Sequence, residues 1–411
     1  MRQRILAVGI LVGVAAGAAD VEWFQWRGPK RDGISTETGL LQEWPAGGPA
    51  LAWKAKGLGN GYSVVTFAPD RIFTMGEKDD AACVFALERS SGKIVWSTPV
   101  GKAGAPGWGN FAGPRSTPTV DGELVYAVGQ YGEIVCLQAA SGAKAWAKSF
   151  VTDLGGKVPE WGYSESPLLA GDKILCTPGG SKGAIVALDK KSGAVLWQCK
   201  ELTDGAAYSS LVPAKICGLD QYVQLTPASV AGVGPDGKLL WRAAREGKTA
   251  VIPTPICSGD NVYVTSGYGV GCNLFTVTAS GGALTAKQVF ANKTIANHHG
   301  GVILLGDHVY GYCDSKGWVC QKFATGEIVW SDKKLGKGSI AYADGRFYLR
   351  TEAGKGTVAL IEATPEGYKE KGRFDQPDRS KANSWPHPVI AGGKLYLRDQ
   401  DVLLCYDIKA K

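Results

Sequence analysis

The sequence predicts an all-β protein, a single β-propeller of eight four-stranded antiparallel blades, and three observations carry this prediction. A Gly-x-x-x-Trp motif recurs along the chain, glycine is abundant, and short apolar runs alternate with glycine-containing turns. Glycine accounts for 57 of the 411 residues, tryptophan for 13 and methionine for only 2. This composition favours strands and tight turns over helices.

The period of the motif gives the number of blades. Consecutive motif tryptophans from Trp53 to Trp241 lie 43 to 51 residues apart, and Trp330 follows 89 residues later, which is two periods. We expect one repeat to have lost its tryptophan near Ala286 and another degenerate repeat to end near Lys371. A period of about 40 to 50 residues made of short strands is typical of a β-propeller, in which each repeat forms one blade.

One repeat shows the strands in order. Residues 116–120 are predicted to form the innermost strand, 123–128 the second, 133–138 the third and 143–146 the outermost. The motif tryptophan on each outermost strand is expected to fill the space between neighbouring blades. The last repeat lacks an outermost strand, and residues 49–53 supply one from the other end of the chain. We expect this N-terminal strand to complete the C-terminal blade and close the ring without an open edge.

The chain ends differ from the repeats. Residues 1–19 are predicted to be a signal peptide, with basic Arg2 and Arg4 followed by an apolar run and small residues. The run is shorter than the roughly 20 residues that span a membrane. Residues 20–48 are expected to pack on the propeller, which comprises residues 49–411. The protein is therefore predicted to be exported, either periplasmic or secreted, and not membrane-spanning.

Charge and cysteine content exclude some functions. The net charge is +7 without a basic run, which gives no indication of nucleic-acid binding. None of the ten cysteines forms a CxxC or adjacent pair, so haem attachment and zinc-ribbon sites are not expected, and no metal site is predicted. Export permits disulfides, but several cysteines fall inside apolar strands, so disulfides and buried thiols both stay open.

Several stretches resemble known propellers. The stretch 187–197, Ala-Leu-Asp-Lys-Lys-Ser-Gly-Ala-Val-Leu-Trp, resembles the Ala-x-Asp-x-x-Thr-Gly-x-x-x-Trp docking motif of quinoprotein-type propellers. Residues 23–33, 113–118, 297–301 and 396–399 resemble exported PQQ-like repeat proteins of planctomycete and verrucomicrobial bacteria. The resemblance implies an eight-bladed propeller and two opposite functions. Large quinoprotein alcohol dehydrogenases bind PQQ and calcium in the central funnel, whereas BamB outer-membrane-assembly lipoproteins carry no cofactor and bind partner proteins.

The loops that enter the innermost strands are the candidate site, because all of them open at the same end of the central channel. The predicted ligand-binding residues at these positions are Tyr62, Arg115, Glu165, Tyr208, His298, His299, Lys337, Trp385 and His387. Such a mixture of acidic, basic and aromatic side chains is expected of a pocket for a polar ligand. Capping of strand ends is the alternative role for these residues.

Two further expectations concern this site. Trp108, Trp161 and Tyr163 precede two of the loops and are candidate stacking faces for a ligand. Because adjacent residues in a strand point to opposite faces, at most one of His298 and His299 is expected to face the channel.

The sequence therefore predicts an exported, non-catalytic, monomeric propeller that binds an envelope protein or glycan and needs no cofactor. The channel mouth is the first candidate surface, and a flat face with residues 23–32 is the second. The alternative hypothesis is an alcohol or sugar dehydrogenase that uses PQQ and calcium. The chain has no adjacent cysteine pair, and Glu165 is the only carboxylate among the predicted channel residues, although calcium takes several oxygen ligands.

Overall fold

The protein is an eight-bladed β-propeller, as its repeats predicted. The computed structural model describes residues 23–107, 109 and 111–411. The predicted signal peptide, residues 1–19, and Trp108 lie outside the described residues. Thirty-two strands form eight four-stranded antiparallel sheets, and no helix occurs among the described residues.

The first strand of the chain belongs to the last blade, and each later group of four strands forms one blade in chain order. The first strand is β1 (Ala50–Ala55). Blade 1 comprises β2 (Thr66–Phe67), β3 (Arg71–Lys78), β4 (Ala81–Glu88) and β5 (Ile94–Lys102). Blade 2 comprises β6 (Thr119–Asp121), β7 (Leu124–Val128), β8 (Glu133–Gln138) and β9 (Lys144–Ser149). Blade 3 comprises β10 (Leu168–Ala170), β11 (Lys173–Cys176), β12 (Val186–Asp189) and β13 (Val195–Gln198). Blade 4 comprises β14 (Val212–Ile216), β15 (Leu219–Leu225), β16 (Ser229–Val233) and β17 (Leu239–Ala244).

The second half of the ring repeats this order. Blade 5 comprises β18 (Ile256–Ser258), β19 (Asn261–Ser266), β20 (Gly271–Ser280) and β21 (Ala283–Asn292). Blade 6 comprises β22 (Val302–Leu305), β23 (His308–Cys313), β24 (Gly317–Lys322) and β25 (Ile328–Asp332). Blade 7 comprises β26 (Gly338–Ala343), β27 (Arg346–Thr351), β28 (Val358–Glu362) and β29 (Glu370–Phe374). Blade 8 comprises β30 (Val389–Ala391), β31 (Lys394–Asp399), β32 (Val402–Asp407) and β1.

The ring closes as predicted. β1 pairs antiparallel with β32, and Trp53 lies opposite Cys405. The N-terminal strand is thus the outermost strand of the C-terminal blade, so the seam between the chain ends is a continuous hydrogen-bonded sheet. This pairing removes an open edge that would otherwise expose unpaired N–H and C=O groups.

The predicted strands of blade 2 correspond to β6 to β9, but the innermost strand begins at Thr119 rather than at residue 116, and the outermost strand ends at Ser149 rather than at residue 146. Pro118 has no N–H to donate, and the Thr117 N–H donates to Ser166 Oγ at 2.9 Å instead of to a strand. The residues before β6 therefore bond to the neighbouring blade and not to the sheet.

Apolar side chains of adjacent blades share the core. Between blades 2 and 3, for example, Cys136 and Phe150 pack with Ile174 and Leu188, all of them fully buried. All ten cysteines lie in the described part of the chain and are free thiols, eight of them buried.

The motif tryptophans join each blade to the next, as expected. In blade 3 the pairing of β12 with β13 shifts register beside Trp197, and every blade has such a β-bulge between its third and fourth strands. The ring of Trp146 in blade 2 lies against Gly193 of blade 3, and its Nε1 donates to Lys190 O at 3.1 Å. Gly193 has a φ of +71°, and a Cβ there would lie 2.7 Å from the ring. Only glycine fits this position without displacing the tryptophan.

Blade 5 has replaced its tryptophan with a smaller ring. The residue at the equivalent position beside the bulge is Phe290, whose ring lies against Gly326 of blade 6. The expected position near Ala286 was therefore wrong by four residues. The β20–β21 hairpin is longer than those of the other blades, with ten residues in each strand, so the period of the motif misplaced the contact.

Blade 7 has no aromatic residue at this position, and the N-terminal segment supplies one. Gly372 lies beside the bulge of β29, and Trp44 occupies the adjacent space. The Trp44 N–H donates to Lys371 O at 2.8 Å, and its ring lies 5.8 Å from that of Tyr348. The degenerate repeat is thus completed by a distant part of the chain.

The segment that precedes Trp44 runs inside the central channel. Residues 23–41, which we call the channel segment, form hydrogen bonds with every blade. Its partners on blades 1 to 8 include Phe67, Val120, Ser166, Leu211, Thr254, Val302, Tyr342 and Ile408. Because Arg27 and Arg31 are only 5% and 1% exposed, residues 23–32 do not form a binding surface on a flat outer face.

The contact between tryptophan and glycine predicts unequal effects for two glycine substitutions in blade 3. Gly171→Ala places an alanine at a φ of +63° with no atom within 4 Å of the new Cβ, so it tests backbone strain alone. We expect this variant to lose about 1 to 2 kcal/mol of unfolding free energy. Gly193→Ala also pushes against the Trp146 ring, so we expect a further loss of about 1 to 3 kcal/mol. Urea unfolding followed by circular dichroism measures both, and equal losses would show that the ring contact has no such role.

Candidate functional site

A cavity of about 290 Å³ opens at the end of the channel where the innermost strands begin. Its walls combine aromatic rings with a few polar side chains. Seven of the nine predicted ligand-binding residues line it: Tyr62, Arg115, Tyr208, His298, His299, Trp385 and His387. These residues come from the loops that enter blades 1, 2, 4, 6 and 8, so the repeat phase brings them together.

The two other predicted residues lie behind the wall of the cavity. Glu165 is 2% exposed, and its carboxylate accepts hydrogen bonds from the backbone N–H groups of Thr177 and Leu211. Burial raises the pKa of Glu165 to about 7, although these hydrogen bonds and nearby Arg31 oppose the shift. Lys337 extends to His298, so it acts on the cavity through that imidazole.

Both adjacent histidines line the cavity, so the expectation that only one would face the channel was wrong. His298 and His299 lie in a bend between β21 and β22 rather than in a strand, and the alternation of strand side chains does not apply. Their ring centroids are 5.2 Å apart.

Sequence reasoning missed several further wall residues, among them Tyr268 and Glu352. Each of these two follows the second strand of its blade, β19 or β27. The second strand runs antiparallel to the first and returns the chain to the same end of the channel. The turns after the second strands were therefore an additional signal for residues of this site.

Aromatic rings form one wall. The rings of Tyr62 and Trp385 are stacked at 4.5 Å, and Phe111 lies 5.1 Å from Trp385. The Arg115 guanidinium lies 5.4 Å from the centre of the Tyr62 ring. Farther round, the ring of Trp161, one of the predicted stacking residues, lies 5.7 Å from Tyr208. Tyr163, another of them, packs instead against Phe150.

The histidines and Glu352 form the opposite wall. The Glu352 carboxylate lies 2.5 Å from His299 Nε2 and accepts a hydrogen bond from Trp385 Nε1 at 3.0 Å. These partners hold the pKa of Glu352 below its usual range despite burial, so the carboxylate is charged. Lys337 Nζ lies 2.5 Å from His298 Nδ1. An ammonium group can only donate, so Nδ1 of His298 accepts and the proton of the neutral ring is on Nε2.

The floor of the cavity comes from the channel segment. Trp26 lines the cavity and packs against His387 with a ring distance of 4.9 Å. His387 Nε2 donates to His299 O at 2.9 Å, and Arg27 Nη1 lies 3.4 Å from Nδ1. Two separate pockets, of about 450 and 390 Å³, are lined by other residues of the channel segment, including Pro29 and Ile34. The segment thus divides the channel, and the candidate site is a pocket rather than a through-channel.

Few side chains of the cavity could bind a metal ion. Among the described residues that line the cavity, Glu352 is the only one with a carboxylate, and this group already contacts His299 and Trp385. In the described part of the chain, no three His, Cys, Asp or Glu side chains are grouped so that they could hold a metal ion. The same residues include no helix long and apolar enough to cross a bilayer.

The sequence matches the model of a known protein family. A family model described as outer membrane protein assembly factor BamB matches residues 80–332, which is more than half of the chain. The chain belongs to the BamB family. No curated protein matches the sequence.

Several solved structures share this fold. BamB from Moraxella catarrhalis is 15% identical with a TM-score of 0.61, and the match covers 88% of this chain and 100% of that one. A quinohemoprotein alcohol dehydrogenase from Comamonas testosteroni is 11% identical with a TM-score of 0.65, over 96% of this chain and 82% of that one. A computationally designed protein, Ika8, is 10% identical with a TM-score of 0.59, over 92% and 99%. At these identities the likeness shows the fold alone.

The buried floor histidine predicts a pH-dependent stability. Burial, assisted by nearby Arg27, lowers the pKa of His387 to about 3. Between a pKa of about 6.5 in the unfolded chain and about 3 in the folded protein, only the unfolded chain binds this proton. The unfolding free energy therefore falls as the pH decreases through this range, by about 1.4 kcal/mol per pH unit for His387.

The variant His387→Gln isolates this effect. Its unfolding free energy, measured by urea titration from pH 7 to pH 4, should depend on pH less steeply than that of the wild type by about 1.4 kcal/mol per unit. Glu165, with its raised pKa, contributes in the opposite direction, but equally in both proteins. Parallel curves for the two proteins would contradict the neutral, buried state of His387.

Proposed function

We propose that the protein is an exported, non-catalytic binding module of the cell envelope that holds a polar ligand, or the end of a glycan or protein partner, in the channel cavity. Membership of a family named for outer membrane protein assembly supports a role in the envelope. The predicted signal peptide supports export. The one-ended cavity is the observation that carries the proposal.

The size and lining of the cavity support a small ligand. Its volume of about 290 Å³ lies at the lower end of the range of about 300 to 1,000 Å³ that is usual for ligand pockets. Most of its surface is apolar, which is usual for such pockets, and polar side chains are distributed among the aromatic rings. The channel segment limits how far a ligand can enter, so a small molecule or a chain terminus fits better than an extended polypeptide.

The polar side chains of the cavity support binding rather than catalysis. Ser166 Oγ accepts the Thr117 N–H, and Ser210 Oγ accepts the Ser166 N–H, so both hydroxyls serve the backbone. Among the described residues that line the cavity, no serine hydroxyl is hydrogen-bonded to a histidine. None of these serines is therefore placed as a nucleophile activated by a histidine.

The alternative, a dehydrogenase with PQQ and calcium, receives little support from the same residues. Calcium takes six to eight oxygen ligands, several of them usually carboxylates. The cavity offers the carboxylate of Glu352, which is already bound by His299 and Trp385. The residues present do not fit calcium-bound PQQ, and no mechanism through that cofactor is derived.

Two measurements test the proposal. We expect native mass spectrometry of the protein, purified from the envelope of its own host, to show a bound small molecule. The bound fraction should fall at least tenfold in Trp385→Ala, because this indole forms part of the cavity wall. The control Leu196→Ala changes an exposed residue on an outermost strand and should keep the molecule.

The competing function is tested on the same material. Protein incubated with PQQ and calcium should not reduce an artificial electron acceptor with alcohol or sugar donors. Turnover in this assay that is lost in Trp385→Ala would overturn the non-catalytic proposal. Absence of any bound molecule from the wild type, together with no binding of small-molecule probes, would refute the binding function itself.

A further inference from the structure

Arg115 is a cation in the cavity wall without an acidic partner. It is half-buried, and no described carboxylate lies within ion-pair distance of it. Nη2 donates to Phe111 O at 2.7 Å, and Nη1 lies 3.4 Å from Gly113 O. Among the described residues, Nε of Arg115 has no hydrogen-bond partner. A partly buried charge that the protein does not pair costs free energy unless a ligand or solvent compensates it.

The two arginines of the channel segment, Arg27 and Arg31, have structural roles that differ from the position of Arg115. Arg31 donates to Leu211 O at 2.8 Å and to Ser166 O at 2.7 Å. Arg27 donates to Val302 O at 2.6 Å and to Asp32 O at 2.7 Å. Both are buried and donate to backbone carbonyls, and Arg31 connects blades 3 and 4 in this way. Arg115 connects no blades and instead faces the cavity beside two tyrosine rings.

The surroundings of Arg115 are suited to a ring that carries an acidic group. Tyr62 lies under the guanidinium, and Tyr208 also lines the cavity. An arginine held by an aromatic face presents its N–H groups in one plane, which matches the geometry of a carboxylate. The stacked pair of Tyr62 and Trp385 offers flat faces for the rest of the ligand.

The opposite wall offers neutral hydrogen-bonding groups. Arg115 belongs to blade 2 and His298 precedes blade 6, which lies half a ring away. His298 accepts from Lys337 through Nδ1 and so has its Nε2–H available to donate. Asn383 also lines the cavity and can both donate and accept. Hydroxyl groups at the far end of a ligand would find both kinds of partner there.

We infer that the cavity binds an acidic sugar, with its carboxylate on Arg115, its ring against the Tyr62 and Trp385 faces, and its hydroxyls toward His298 and Asn383. The inference rests on the proposed binding function and specifies the ligand class. A neutral sugar would leave the Arg115 charge uncompensated, and an aromatic acid would leave the hydrogen-bonding groups of the far wall unused.

Isothermal titration calorimetry with three probes tests this inference: glucuronate, glucose and benzoate. Glucuronate and glucose share a ring and differ in the carboxylate, whereas benzoate keeps the acid and lacks the hydroxyls. We expect glucuronate to bind about ten- to a hundredfold more tightly than glucose, the range for one hydrogen-bonded charge pair. Benzoate should bind more weakly than glucuronate.

Variants at Arg115 assign the preference to this residue. Arg115→Gln should reduce the preference for glucuronate over glucose to less than about threefold, whereas Arg115→Lys should retain part of it because the charge remains. Arg242→Gln, which makes the same charge change at an exposed site on β17, should retain all of it. Thermal unfolding of each variant confirms that it is folded.

The outcomes separate this inference from the proposed function. Equal affinity for glucuronate and glucose would overturn the acidic-sugar inference and leave the binding function standing. Tighter binding of benzoate would overturn the choice of a sugar. No binding of any probe to a protein that carries a neutral native ligand would also overturn it, whereas a protein that binds nothing at all would refute both.

Discussion

The contact between an aromatic ring and a glycine of the next blade is the constraint on which the rest of this structure depends. The ring of Trp53 meets Gly92, that of Trp96 meets Gly142, and the contact recurs at Gly193 and Gly237. In each case the glycine has a positive φ, and a Cβ would lie 2.5 to 2.7 Å from the ring. Because the β-bulge directs the ring out of its own sheet and the glycine lets the next blade approach, the pair sets the spacing of the blades. The width of the channel follows from that spacing.

The two blades that lack the motif tryptophan still have an aromatic ring at this place. Trp241 and Trp330 make other contacts: Trp241 Nε1 donates to Gln221 Oε1 of its own blade, and Trp330 Nε1 donates to Thr364 O of blade 7. Phe290 replaces a tryptophan in blade 5, and Asn292 Nδ2 donates to Gly326 O at 3.1 Å. In blade 7 the aromatic ring is that of Trp44. Residues 23–55 therefore divide the channel, complete blade 7 and close blade 8. One terminal stretch couples the closure of the ring to the formation of the cavity floor.

The number of blades, the closing strand and seven of the residues that line the cavity could be predicted because all of them depend on the period of the repeat. Features that depend on packing between distant residues could not. Glu165 is removed from the cavity by hydrogen bonds to Thr177 and Leu211, whose proximity no spacing reveals. The bend at His298 and His299 breaks the strand alternation locally.

The channel segment escaped prediction for a related reason. Residues 23–32 were expected on a flat face, yet Arg27 and Arg31 are buried and donate to backbone carbonyls of several blades. Burial lowers the pKa of each to about 10, so both stay charged at neutral pH. A buried charge is tolerated where the surrounding dipoles are already oriented toward it. The inner ends of the blades provide such carbonyls at every repeat, which is why a charged segment can occupy the channel of an apolar fold.

At Arg115, the protein's own groups do not fully compensate the charge of the guanidinium. Arg31 is surrounded by backbone carbonyls of two blades. Arg115 instead lies against an aromatic ring, and an aromatic face compensates the charge of a guanidinium only in part. Placing a cation beside Tyr62 and Tyr208 therefore contributes little to folding and much to the recognition of an anion. The carboxylate that could have neutralised it, Glu352, is held across the cavity by His299 and Trp385. The separation of the two charges across an aromatic pocket leaves the Arg115 side open to an acid supplied by a ligand.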